Sequence, residues 1–307
     1  MPKLEAPNLE RPSPGGSGTL GRVPPLALVC GSIISVQFGA AISVTVFDEV
    51  GVLGSTLLRL GFASLFLFLL RRPRVSHWSA TQVKMAILFG IILAAMNLSF
   101  YFAINILPVG IATTIEFLGP ISIAAIFSRR LLDGLWVLLA AAGVVLIAQP
   151  WSGGGDLATA GLLLALLSAF FWGIYILVAQ RAGEVFPDRD GLTVAMMIGM
   201  AIVFIPGVIS GGSTLLTTHI LLVGSVIGLL SSLIPYTFEL EALRRMPARV
   251  FGTLMSIEPA VAVFTGFIVL SQKPTLLELF AIALVVIASV GVTRTARALP
   301  AEAAIEA

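Results

Sequence analysis

Two glutamates stand inside hydrophobic runs and close to prolines: Glu116 in TTIEFLGPI, before Pro120, and Glu258 in LMSIEPA, before Pro259. A carboxyl group held away from water can exchange a proton or bind an ammonium group. Proline removes its own backbone N–H and frees the carbonyl four residues back, that of Glu116 for Pro120 and of Met255 for Pro259. In lipid a freed carbonyl needs a neighbouring helix or a wet cavity, so both stretches are expected to face a bundle interior as helix breaks.

Arg59 is a third charge in an apolar run. An intramembrane charge costs at least about 2.5 to 3.5 kcal/mol on insertion scales, so Arg59 is expected to turn inward, towards Glu116. Two roles stay open for that pair: locking two helices together, or binding a substrate or ion. For Glu258 the alternatives are proton exchange and a permanently protonated acid bonded to a neighbouring helix. Gln37, Asn97, Tyr101, Trp172, Tyr175 and Tyr236 are further interior candidates, each able to offer a hydrogen bond or an amphipathic wall to a small ligand. Glu239 and Glu241, close to Arg244 and Arg245, read instead as interfacial ion pairs.

The elements that must position these groups are membrane helices. The chain has 307 residues, of which 58% are hydrophobic and 11% charged, with a mean hydropathy of +1.04. An ordinary soluble domain carries about 25% charged residues. About 20 apolar residues at 1.5 Å each cross a hydrocarbon core of about 30 Å, and such runs recur along the chain. Alternating segments of about ten residues, as in outer-membrane barrels, are absent. The expected fold is therefore an all-α polytopic membrane protein with ten transmembrane helices, near 24–43, 50–70, 84–106, 108–127, 132–149, 157–180, 191–210, 216–238, 247–270 and 275–293.

Lys and Arg in short loops favour the cytoplasm. Of the 18 Lys and Arg, all but Arg59 and Lys273 fall on the side that holds both termini, which places the N- and C-termini in the cytoplasm. On these spans Glu116 lies about 12 Å and Arg59 about 13 Å from the outer edge, and Glu258 about 16 Å from the inner edge.

A constant offset of 139 residues pairs Pro108 with Pro247, Thr114 with Thr253, Pro120 with Pro259 and Ala103 with Ala242. The first stretch is span four and the second span nine, so the repeat is five helices long. An odd number of crossings inverts the second copy. The expected domains are a disordered cytoplasmic tail at 1–23, a first repeat at 24–149, a second, inverted repeat at 157–293, and a cytoplasmic tail at 294–307.

Other chemistries find no support. His77 and His219 have no metal-ligand spacing around them, so no metal site or cofactor is expected. The run WSGGGD at 151–156 lacks the ending of a phosphate loop and reads as a connector. The net charge of +2 comes from scattered loop residues, which gives no nucleic-acid patch. Cys30 is the only cysteine and is assigned to packing; Trp78 and Trp151 suit interfacial anchors. Nothing resembles a nucleophile with its base, so no enzyme activity is expected.

Both halves carry an Ala-[Ile/Leu]-x-x-[Leu/Met]-Pro entry and a later membrane-centre proline, and on that pattern the chain resembles the EamA-type transporters of the drug/metabolite transporter superfamily. FYFAINILPVGIATTIEFLGPISIAAIFSRR at 100–130, FFWGIYILVAQRAG at 170–183 and FGTLMSIEPAVA at 251–262 look like the bacterial threonine and homoserine exporters. The resemblance implies a bacterial inner-membrane exporter of small amino acids, driven by protons, with a central cavity between the repeats. It carries over Glu116 and Glu258 as matched motif positions. The chain departs from the pattern at SQKPT, 271–275, where Gln272 and Lys273 stand in place of a Gly-Glu. The alternatives are an exporter of another metabolite or of apolar drugs and, outside transport, a membrane-embedded sensor.

Overall fold

The computed structural model describes residues 22–73, 75–127, 131–148, 156–186, 190–243, 245–246 and 248–295. Most of both expected tails, residues 151–155 of the connector with Trp151, and Pro247, Arg74, Arg129, Arg130, Arg189 and Arg244 lie outside them. The described residues are helical throughout, with no strand among them. The helices are α1 (Pro25–Val44), α2 (Phe47–Arg71), α3 (Ala80–Ile106), α4 (Val109–Glu116), α5 (Leu118–Phe127), α6 (Leu131–Ala148), α7 (Asp156–Val185), α8 (Asp190–Gly211), α9 (Thr218–Gly228), α10 (Ile234–Leu243), α11 (Ala248–Met255), α12 (Glu258–Leu270) and α13 (Leu276–Thr295). Among the described residues eight helical stretches are long and apolar enough to cross a membrane, and two shorter apolar helices, Val109–Ile123 and Gly134–Ile147, occupy the positions of spans four and five. The protein is a multi-pass, all-helical membrane protein.

Among the described residues three spans are interrupted near a proline, while α2 kinks at Gly51, near its start, where φ is +71°. Span four breaks at Phe117, between α4 and α5, three residues before Pro120. Span nine breaks at Ser256 and Ile257, between α11 and α12, just before Pro259. Pro259 thus falls in the first turn of α12, where the missing N–H has no intrahelical partner to lose. Phe117 and Ser256 are themselves 139 residues apart, the offset that pairs the prolines. In span eight a π-helical turn, Leu229–Leu233, separates α9 from α10 immediately before Pro235.

The packing follows a pattern that survives exchange of spans one to five with spans six to ten. Spans two and seven pack together (α2 on α8), as do four and nine (α4 on α12) and five and ten (α6 on α13). Span one packs on span eight (α1 on α10 and the π turn), and its counterpart is span six on span three (α7 on α3).

Glycines allow the closest approaches. A Cβ added at Gly119 of α5 would lie 2.3 Å from the Ala169 carbonyl oxygen and 3.2 Å from the Gly173 nitrogen, both backbone atoms of α7. Because backbone cannot yield, Gly119→Ala is expected to cost about 1–3 kcal/mol by overpacking. Its melting temperature in detergent should fall below the parent's; an unchanged value would show that α5 and α7 are free to separate.

Cys30 lies exposed on α1 and does not serve the packing role expected for it. A helix facing lipid is apolar on both sides, so hydrophobicity alone could not assign its face.

Candidate functional site

The polar interior is built around α1, which is studded with small and polar residues. Ser43, one turn after Gly39, donates to the Gly39 carbonyl (2.7 Å), and the Tyr101 hydroxyl of α3 donates to Ser43 Oγ (2.6 Å). Tyr101 is completely buried, with the Phe47 ring centroid 5.8 Å from its own. Ser35 Oγ donates to the Leu230 carbonyl of the π turn (2.7 Å). Ser32 donates to Glu239 on α10, and Gln37 Nε2 donates to Glu258 Oε1 on α12 (2.9 Å).

Arg59 of α2 is buried, and its Nη2 donates to the Ser231 carbonyl (3.3 Å). The cause can be read in the sequence: Pro235 has no N–H to return to the carbonyl four residues earlier, and that residue is Ser231. The guanidinium also lies over the Tyr101 ring, 5.3 Å from its centroid, as a cation–π pair. Arg59 Nε has no hydrogen-bond partner, and neither have the buried hydroxyls of Ser231 and Ser232. Among the described residues no carboxylate oxygen comes within 4.0 Å of the guanidinium.

Glu116 closes α4 at its break and accepts a hydrogen bond from Ser168 of α7, which also reaches the Met96 carbonyl (3.2 Å). It is close enough to Arg59 for the charges to interact through space, without a direct ion pair. Glu258 opens α12 beyond the other break and is 6% exposed. Its Oε1 receives Gln37, while Glu258 Oε2 and Gln37 Oε1 are both buried and unpartnered. Glu258 interacts through space with both Glu116 and Glu239.

The remaining candidates divide. Tyr175 and Tyr236 interact with each other and with Glu239, and Tyr236 also with Arg59. Asn97 is buried but turns its amide back onto the Leu93 carbonyl of its own helix (2.8 Å). Trp172 stands edge-on to Phe117, 5.1 Å between ring centroids, in an apolar cluster with Ile121 and Val285.

Glu241 pairs with Arg245 (3.3 Å), as the spacing predicts. Glu239 does not: it faces α1 and the tyrosines and has no ion pair among the described residues. About half a turn of helix separates the two fates, so residues 239 and 241 point to different faces. Ser32, Ser43, Ser168, Ser231, Ser232 and Pro235 complete the interior and were not among the candidates. Of these, Pro235 beside a Ser-Ser pair inside an apolar span carried the readable clue.

At the end of α12, Gln272 Oε1 accepts the Val109 backbone N–H (3.1 Å), one of the donors left free at the start of α4. Gln272 thus ties the loop before α13 to the first turn of α4, beside a cleft lined by Pro108, Lys273 and Glu278. Among the described residues there is no cluster of His, Cys, Asp and Glu able to hold a metal ion.

Residues 159–294 match the model of the EamA-like transporter family. The threonine/homoserine exporter RhtA of Escherichia coli K12 is 35% identical over 285 residues, covering 91% of this chain and 96% of its own length. The protein of the same name from Salmonella typhimurium LT2 is 35% identical over 289 residues, covering 94% and 97%. A solved crystal structure with 17% identity covers 88% of this chain and 98% of its own, with a TM-score of 0.58, which supports the fold alone. With relatives this similar along nearly the whole chain, and with an interior of broken helices and buried charges, the protein belongs to the EamA-like transporter family.

Proposed function

We propose that this protein exports small zwitterionic amino acids of the threonine and homoserine kind across the bacterial inner membrane, with both termini in the cytoplasm. Two inverted five-helix halves, 24–149 and 157–293, alternate access to the interior. Protons move in the opposite direction. The exchange-symmetric packing of the spans and the matching breaks in spans four and nine support this arrangement.

One observation carries the substrate reading. Arg59 and Glu116 are opposite charges in the membrane interior that interact without touching, and each is held by groups other than its counterpart. An amino acid has one anionic and one cationic pole on neighbouring atoms. Its carboxylate would meet Arg59 Nε and the idle hydroxyls of Ser231 and Ser232; its ammonium group would meet Glu116. Tyr101 fixes the guanidinium plane. Glu258, held by Gln37 on the other side of the interior, is the proton carrier, with Glu239, Tyr236 and Tyr175 lying towards the cytoplasm. Asn97 and Trp172 shape the wall.

A second reading has its own support, because three interior carboxyl groups against one guanidinium also suit an organic cation. Proteoliposomes loaded in parallel with labelled threonine, homoserine, N-acetylthreonine and a bulky hydrophobic cation separate the two. Threonine and homoserine should leave at least about tenfold faster than N-acetylthreonine, which has lost the charge-assisted bond to Glu116. Movement of the cation alone would overturn the amino-acid reading.

A further inference from the structure

We propose that Gln37 acts as the positioning residue that reads whether Glu258 carries its proton, by closing a two-bonded amide–acid ring that ties α1 to the start of α12. The inference rests on the reading of Glu258 as proton carrier.

One arm of the ring is in place: Gln37 Nε2 donates to Glu258 Oε1 at 2.9 Å. The other arm would join Gln37 Oε1 and Glu258 Oε2, which are both buried and both without a partner. Both atoms are acceptors while Glu258 is ionised, so they cannot bond to one another. When Glu258 takes up a proton on Oε2, that atom becomes a donor, and Gln37 Oε1, on the amide already bonded to the same carboxyl group, is a free acceptor for it. Protonation therefore satisfies two orphaned atoms at once, in a place where an unsatisfied polar group is costly. Loss of the proton opens one arm and leaves the other.

The ring spans a mechanical joint. Gln37 belongs to continuous α1, whereas Glu258 is the first residue after the break between α11 and α12. Closing or opening the second arm thus changes how firmly α12 is held to α1, without moving any other charge. The groups around Glu258 are few. From α4 it faces Glu116 and from α10 Glu239; α13 carries Glu278 in its first turn and Arg294 in its last, and the titratable group of α1, Cys30, lies on the exposed side. Arg59 is directed to Ser231 and Tyr101 instead. Among the described residues no cation is reserved for Glu258, and the proton is the species that can complete the ring.

The test is an infrared titration of the purified full-length protein in liposomes without substrate, with Glu258→Gln to assign the carboxylic-acid carbonyl band. The wild type should show an acid band that Glu258→Gln removes, and Gln37→Leu should move that band to higher frequency because the ring is gone. Gln37→Asn, whose amide is too short to close the ring, should give the same shift and serves if the leucine variant fails to fold. In vesicles, Gln37→Leu should lower proton-driven threonine export about tenfold, the worth of roughly one buried hydrogen bond. A band that ignores both Gln37 variants, or the lack of any band sensitive to Glu258→Gln, overturns the proposal. Because the spectra need no substrate, a correct band shift in a protein that does not move threonine would fault the substrate reading and leave the ring standing.

Discussion

Arg59→Gln is expected to reduce threonine exchange about 10- to 100-fold, the range that follows from losing charge-assisted hydrogen bonds of about 1.5–3 kcal/mol. The variant should still fold. Arg59 breaks no ion pair when removed, since its hydrogen bond goes to the Ser231 carbonyl and its face to Tyr101. Removing a charge from the membrane interior also relieves an insertion cost of at least about 2.5 kcal/mol. Arg59→Lys should recover only part of the activity, because an ammonium group lacks the planar fork that can hold Ser231 with one nitrogen and a carboxylate with another. Measuring exchange and melting temperature together separates the two roles open for this residue. A large fall in melting temperature with exchange unchanged would make Arg59 a helix lock rather than a ligand.

Glu258→Gln is expected to separate threonine exchange from proton-driven threonine export. Glutamine has nearly the shape of glutamic acid and keeps a hydrogen bond to Gln37, but it cannot bind or release a proton. Exchange of labelled for unlabelled threonine needs no net proton movement and should stay within a few-fold of wild type. Export driven by a pH gradient should fall at least about tenfold, towards that of empty vesicles, because the only group assigned to the coupled proton is gone. Equal loss of both activities would place Glu258 in substrate binding. Retention of both would remove it from coupling.

Much of this organisation can be read from the sequence because lipid imposes strong rules. Ten apolar runs, three embedded charges and the 139-residue offset follow from length, hydropathy and spacing, and of those charges Arg59 and Glu258 are buried and Glu116 is half-buried. What the sequence conceals is where the polar groups spend their hydrogen bonds. Arg59 and Glu116 share a depth, which suggests a pair, yet Arg59 is drawn instead to a carbonyl that Pro235 frees on span eight. Glu239 stands five residues before Arg244, which suggests an interface; only the rotation of α10 shows that it turns towards Ser32. The serines are harder still. Ser168, Ser231 and Ser232 are small residues of the kind that membrane helices use for packing, so their types alone do not separate a wall from a donor. Cys30 fails for the complementary reason, since lipid-facing and buried positions are equally apolar.

Coupling between protons and an amino acid moving through the Arg59–Glu116 interior can be measured in proteoliposomes loaded with labelled threonine, with the outside held either at the internal pH or more acidic. Threonine should leave faster, and against an opposing threonine gradient, only when the outside is acidic, because each proton entering would drive substrate out. Efflux that is the same with and without the imposed gradient would contradict the account and leave a facilitated carrier in its place.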